Sequence, residues 1–188
     1  MLNEKFSYQI IRSKRRTIAL EIRPNGRLIV RAPLRLSEAR INRFVEEKSH
    51  WILKNMEKIQ QRETAKESVK KLSLSEKKQL QEKACQVFPA RIAYYAKKTG
   101  VIYGRITLRQ QKTRWGSCSA SGNLNFNWLL ILAPPEVLDY VVVHELCHRK
   151  EMNHSDAFWK EVETVLPDYR EQKRWLKENG WKLMEEGM

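Results

Sequence analysis

The 188-residue sequence contains no apolar run near the roughly 18 residues that a bilayer-spanning helix requires, so no membrane span is expected. Its first five residues, Met1-Leu2-Asn3-Glu4-Lys5, lack the apolar stretch of a secretion signal, which predicts a cytoplasmic location. Cysteine is scarce. Cys85, Cys118 and Cys147 are odd in number and form no C-x-x-C pair, so free thiols in a reducing compartment are expected. There is no P-loop or other Gly-rich phosphate cradle, no internal repeat and no low-complexity tract. Acidic residues are missing altogether between Glu82 and Glu136, a span that holds eight basic ones.

What is present in excess is positive charge. Lys and Arg total 36 against 22 acids, a net charge of +14. Ten units of that surplus lie in the first 71 residues, where Arg12, Lys14, Arg15 and Arg16 form a cluster. Such a field favours anionic partners, nucleic acid and nucleotides among them, although a solvated basic surface would look the same. The apolar fraction of 41% and the chain length allow a hydrophobic core without disulfide staples.

The pattern along the chain predicts an α+β fold in two parts, a basic β-hairpin and helix module over 1–73 and a catalytic domain over 74–188. Phe6–Ile11, Thr17–Ile22 and Arg27–Arg31 have strand character, and Pro24-Asn25-Gly26 between the last two is a hairpin signal. Ser37 caps one long helix whose apolar stripe runs from Ile41 to Ile59. The polar stretch 62–75 marks the boundary. A helix from Glu76 to Lys98 follows, kinked or split at Pro89 and capped by Gly100. Arg105–Arg109 and Leu124–Leu132 are strand-like, separated by the small-residue loop Trp115–Gly122. Pro134-Pro135 opens a helix. Ser155 and Asp168 cap two last helices, Pro167 lies between them, and Gly180 is expected to end the second.

Three of the four histidines fall within eleven residues, at His144, His148 and His154. His144-Glu145-Leu146-Cys147-His148 matches H-E-x-x-H. Residues i and i+4 share a helix face, so two imidazoles can reach one ion at about 2.0–2.1 Å. His154, after a chain reversal, would be the third ligand and leave a fourth position open, the mark of a catalytic rather than a structural zinc site. Glu145, one step round the helix, can then act as general base on a metal-bound water. His50 is an incidental helix residue.

The wider pattern resembles a known family. Trp115-Gly116-Ser117-Cys118, Asn125-Phe126-Asn127-Trp128-Leu129, Asp139–His148, Asn153-His154-Ser155 and Phe158-Trp159 carry the likeness. With the Arg-rich hairpin, Ala32-Pro33 and Trp51, they resemble the YgjP-like branch of the zincin metallopeptidases, related to the SprT-like proteases. The resemblance implies a zincin-like fold, with a small antiparallel sheet packed on the active-site helix. It also implies one zinc ion held by His144, His148 and His154, with Glu145 catalytic. The metzincin pattern does not fit, because Glu151 stands where that group has a turn glycine; Asn153 is expected to make the turn in a left-handed conformation.

Three functions follow from these residues. The first is a peptidase, with an extended peptide or protein substrate adding to the strand near Leu124–Trp128. The second is a metal-dependent hydrolase of nucleoside triphosphates, of pyrophosphatase type. The third is a nucleic-acid-associated protein with a structural metal and a basic N-terminal module. The residues alone also leave open whether Trp115 lines the cleft or plugs the core. Asn125 and Asn127 could face a substrate backbone or solvent. Cys118 is a weak fourth-ligand candidate, while Cys147 and Tyr140 are expected to pack. The oligomeric state is not legible.

Overall fold

The computed structural model describes residues 6–188; the pentapeptide considered for a secretion signal lies outside them. Among the described residues no helix is long and apolar enough to cross a membrane. The chain divides into two compact units, one ending at Ser68 and the other spanning Val69–Met188. Six helices and two three-stranded sheets make the fold α+β among the described residues.

In the first unit β1 (Tyr8–Ser13), β2 (Ala19–Ile22) and β3 (Leu28–Pro33) form a sheet of order β1-β3-β2. The Asn-Gly signal does make a hairpin, with Ala19 opposite Arg31 and Ile22 opposite Leu28. Gly26 takes the left-handed φ of 76° that closes the loop, and its N–H donates to the Arg23 carbonyl at 2.9 Å. β1 runs parallel to β3 on the other side. Leu28, Val30 and Ala32 alternate onto one face and bury against Ile41, Val45 and Ile52. The single long helix expected after Ser37 is two, α1 (Glu38–Glu47) and α2 (Ser49–Lys66). Lys48, with φ −101° and ψ 8°, breaks it, and both apolar stripes still reach the same core. Arg12 of the basic cluster is held in place, its guanidinium donating to the carbonyl of Leu34 at 3.2 Å.

The second unit opens with α3 (Leu74–Thr99). Ser73 and Glu76 form a reciprocal capping box at its start, and Gly100 ends it at φ 67°. Pro89 neither ends nor divides the helix. The carbonyl it strands belongs to Cys85 on an exposed turn, where water can satisfy it, while Phe88, Ile92 and Tyr95 hold the helix to the core. β4 (Ile106–Arg109), β5 (Gly116–Cys118) and β6 (Leu124–Asn127) form a sheet of order β4-β6-β5. It is mixed rather than antiparallel. β5 turns back on β6 through a tight turn, Gly122 N–H to Ser119 carbonyl at 2.8 Å, whereas β4 pairs with β6 in parallel.

The strand expected to run to Leu132 stops at Asn127 and gives way to a 3₁₀ turn over Trp128–Leu132. Asn127 is fully buried; its side-chain oxygen accepts from Leu129 N–H at 3.2 Å and its amide donates to the Gln111 carbonyl at 2.8 Å. Those bonds pull the backbone out of the ladder. α4 (Pro135–Cys147) follows with proline at its first position and is buried on nearly every side from Val137 to Cys147. Asp139 of α4 accepts a bidentate pair from Arg91 of α3, with the Nε contact at 2.6 Å, and a third bond from the Tyr95 hydroxyl at 3.1 Å. α5 (Asp156–Val165) is capped by Ser155, whose hydroxyl accepts from Phe158 N–H at 3.4 Å. α6 (Tyr169–Gly187) runs past Gly180 instead of ending there. A Cβ at Gly180 would lie 3.0 Å from the Trp115 ring, so this glycine serves close packing and not a cap.

Candidate metal centre

His144 and His148 occupy the end of α4, one turn apart. The chain then reverses, with Arg149 N–H to Leu146 carbonyl at 2.9 Å and Glu151 N–H to Cys147 carbonyl at 3.0 Å. Asn153 does not adopt the left-handed conformation expected of it, since no non-glycine residue among those described has positive φ. Its side-chain oxygen instead accepts from Ser155 N–H at 3.0 Å and closes the turn that way. The reversal brings His154 back over α4, with its Nε2 3.0 Å from that of His144. One ligand atom from each of His144, His148 and His154 lies within 4.8 Å of the others. His50 is exposed on α2 and is not part of this group.

The donor set fits a divalent cation with nitrogen preference. A tetrahedral edge at zinc–nitrogen distances of about 2.0–2.1 Å is roughly 3.4 Å, close to the spacing of the His144 and His154 nitrogens. His148 Nδ1 lies 3.0 Å from the Glu151 carbonyl oxygen, a contact that fixes Nδ1 as the protonated nitrogen and leaves the Nε2 lone pair free. Burial, reinforced by the neighbouring histidines and Lys173, pushes the His144 pKa down to about 3, so its ring is neutral and able to ligate. His154 is shifted in the same direction, first by desolvation.

Aromatic rings hold the imidazoles. Phe158, fully buried, stacks on His148 at 4.5 Å between centroids. Trp159 stacks on His154 at 5.7 Å and on Tyr169 at 5.3 Å. Tyr140 sits edge-on to His144 at 5.9 Å, so it packs as expected.

Glu145 points to the other side of the site, against β5. It is only 5% exposed, and burial raises its pKa to about 8. A Cβ on Gly116 would stand 2.6 Å from the Glu145 Oε1 and 2.7 Å from its Cγ, so only glycine leaves room for this side chain. The sequence placed Gly116 in a small-residue loop and among the residues that carry the family likeness, with no role of its own. The signal for its role, a glycine in the strand next to the active helix, carries meaning only once the two are known to touch.

Other candidates fall outside the three-histidine donor group. Trp115 is half-buried and packs against Gly180 of α6. Asn127 caps the 3₁₀ turn, and Asn125 donates across the sheet to the Ser117 hydroxyl at 3.2 Å. Cys118 is not among the three grouped donors, and burial raises its pKa. Cys147 is 1% exposed and packs in the core. β6 cannot take an added strand as expected near Leu124–Trp128, because β4 and β5 already pair with its two edges. The edge beside Glu145 that is free within the sheet is β5.

No curated protein matches the sequence. Among solved structures, the metallopeptidase zymogen of Pyrococcus abyssi abylysin is 24% identical and covers 47% of this chain and 91% of its own, with a TM-score of 0.44. The metallopeptidase zymogen of Methanocaldococcus jannaschii jannalysin is 19% identical and covers 48% of this chain and 94% of its own, also at 0.44. A family model described as YgjP-like, metallopeptidase domain, matches residues 16–80 and 70–179. That match spans both units and most of the chain, and with it the protein belongs to the YgjP-like metallopeptidase-domain family of metal-dependent hydrolases.

Proposed function

We propose that this chain is a zinc-dependent metallopeptidase in which His144, His148 and His154 hold the ion and Glu145 is the general base. The observation that carries this reading is the convergence of three imidazole nitrogens within 4.8 Å, with the buried Glu145 next to His144 on α4. Borderline-soft zinc suits an all-imidazole set better than magnesium or calcium, which take oxygen ligands. An ion held by these three histidines would supply Lewis-acid chemistry, polarising a scissile carbonyl and lowering the pKa of a water.

The chain's own groups supply the rest. Glu145 accepts the water's proton and later delivers it to the departing amine. Burial favours its protonated form and a nearby divalent charge opposes that, a balance suited to a group that must both take and give a proton near neutral pH. The β5 edge at Gly116–Cys118 supports an extended peptide beside Glu145, with backbone hydrogen bonds fixing the register. His148, oriented by the Glu151 carbonyl, and His154, backed by Trp159, keep their lone pairs aimed at one point. A peptide is preferred over a nucleoside triphosphate because the family is one of metallopeptidase domains.

The test is metal analysis of wild type and His154→Ala, followed by hydrolysis of a mixed peptide pool by wild type and Glu145→Gln. One zinc per chain in wild type, a much reduced content in His154→Ala, and loss of hydrolysis in Glu145→Gln are expected. Hydrolysis by Glu145→Gln at the wild-type rate would overturn the reading.

A further inference from the structure

The three histidines have a cationic neighbour that the mechanism above does not use. Lys173, on α6, places its ammonium 3.7 Å from the centroid of the Trp159 ring. Trp159 in turn stacks on His154 at 5.7 Å with a tilt of 24°. The two separations together cap the distance from the ammonium to the His154 ring at about 9.4 Å. Among the described residues Lys173 forms no ion pair, although nine other pairs are made by the chain's basic side chains. It is exposed, so a ligand can reach it.

A lone ammonium is an unexpected occupant of this spot. Within about 9.4 Å of the His154 ring, it repels a divalent cation at the histidines. An aromatic face holds such a charge loosely, with no carboxylate to neutralise it. Among the described residues the arrangement leaves a positive charge beside the three histidines, seated on Trp159 and without a carboxylate partner.

We propose that Lys173, seated on Trp159, reads a carboxylate of the substrate close to the scissile bond. This inference rests on the metallopeptidase reading and deepens it by naming the substrate class: peptides with an anionic group near the cleavage site. An extended chain advances about 3.3–3.6 Å per residue, so a separation of up to about 9.4 Å places the carboxylate within about three residues of the bond. That carboxylate comes either from an Asp or Glu side chain or from the peptide's own C-terminus. An ammonium suits both, being a compact charge without the planar fork that would select one geometry.

Binding tests the inference independently of turnover. Zinc-loaded Glu145→Gln protein is immobilised and offered a peptide library at physiological salt. Each sequence is present with Glu or Gln at a given position, and with a free or amidated C-terminus. Retained peptides are counted by mass spectrometry. The protein carrying Lys173 is expected to retain carboxylate forms about fivefold over their amides. In Glu145→Gln/Lys173→Met the ratio falls to near one, and in Glu145→Gln/Lys173→Glu it falls below one, in favour of the amides. The internal Glu/Gln pairs and the terminal pairs separate the two sources of the carboxylate.

The net charge of +14 attracts acids everywhere, so the ratio that disappears with one lysine is the diagnostic quantity. Circular dichroism and zinc content of the Lys173 variants, unchanged from the parent, establish that the fold persists. Equal retention of acid and amide forms, or a preference that survives Lys173→Met, overturns the inference. Either result leaves the peptidase reading standing, because that depends on cleavage by wild type and its loss in Glu145→Gln.

Discussion

Gly116 and the carboxylate of Glu145 are in such close contact that a single methyl group on the glycine would stand 2.6 Å from Oε1. The general base proposed here is therefore positioned by the absence of a side chain across from it. Gly116→Ala is expected to push Glu145 aside without touching the imidazoles. Misplacing a catalytic group by about 1 Å costs on the order of a hundredfold in rate. Peptide hydrolysis should fall by about that factor while zinc content stays at the wild-type level. Full activity in Gly116→Ala would show that Glu145 has freedom the packing denies it.

Asp139 ties the active helix to α3 through Arg91 and Tyr95. Arg91→Ala leaves the Asp139 carboxylate, itself 7% exposed, with one hydrogen bond and no countercharge. Removing one partner of a buried pair costs about 3–5 kcal/mol, and the partial exposure of Arg91 reduces this to about 2 kcal/mol. Urea unfolding should show that loss as a lower midpoint at unchanged slope. Arg91→Lys should recover only part of it, because lysine cannot donate the bidentate pair.

The capping box of α3 makes stability depend on pH. The Glu76 carboxylate accepts from Ser73 N–H at 2.8 Å, and this bond, with the Ser73 hydroxyl and Lys70, holds its pKa down at about 2. A carboxyl with a folded pKa below its ordinary value of 4.5 binds fewer protons than in the unfolded chain. Its contribution is complete above about pH 4.5 and disappears as pH falls toward 2. Wild type should melt above Glu76→Gln at pH 7, and the difference should shrink steadily across that window. A gap that stayed constant down to the acid end would mean that the carboxylate is not what stabilises the cap.

Zinc removal should lower stability without unfolding the protein. The core of the second unit, with Phe88, Phe126, Leu146 and Phe158 buried, is built independently of the metal-ligand nitrogens. An ion at a hundredfold excess over its Kd adds roughly 2.7 kcal/mol. Chelation should therefore reduce Tm by several degrees with the far-ultraviolet circular dichroism retained. A chelated protein that lost its helical signal at room temperature would contradict this.

Much of the site was legible because its chemistry is local. H-E-x-x-H is a helix-period pattern, and α4 is the helix it describes. The proline at the start of α4, the glycine after α3 and the serine before α5 act as expected for the same reason: caps and first turns are decided by neighbouring residues. What escaped depends on partners far along the chain. Gly180 looked like a terminator and is a contact surface for Trp115, 65 positions away. Leu129-Leu130-Ile131-Leu132 looked like a strand because an apolar run has no period, and only the buried Asn127 side chain decides for the 3₁₀ turn. The parallel pairing of β4 with β6, and the service of Gly116 to Glu145, belong to tertiary structure and leave no mark on adjacent letters. Lys173 was one more base in a basic chain until α6 laid it over Trp159.

The three imidazoles differ in their access to water: His148 is buried, His144 intermediate and His154 exposed. In the site proposed above, an ion arriving from bulk solvent would therefore meet the outermost ring first and the two on α4 only afterwards.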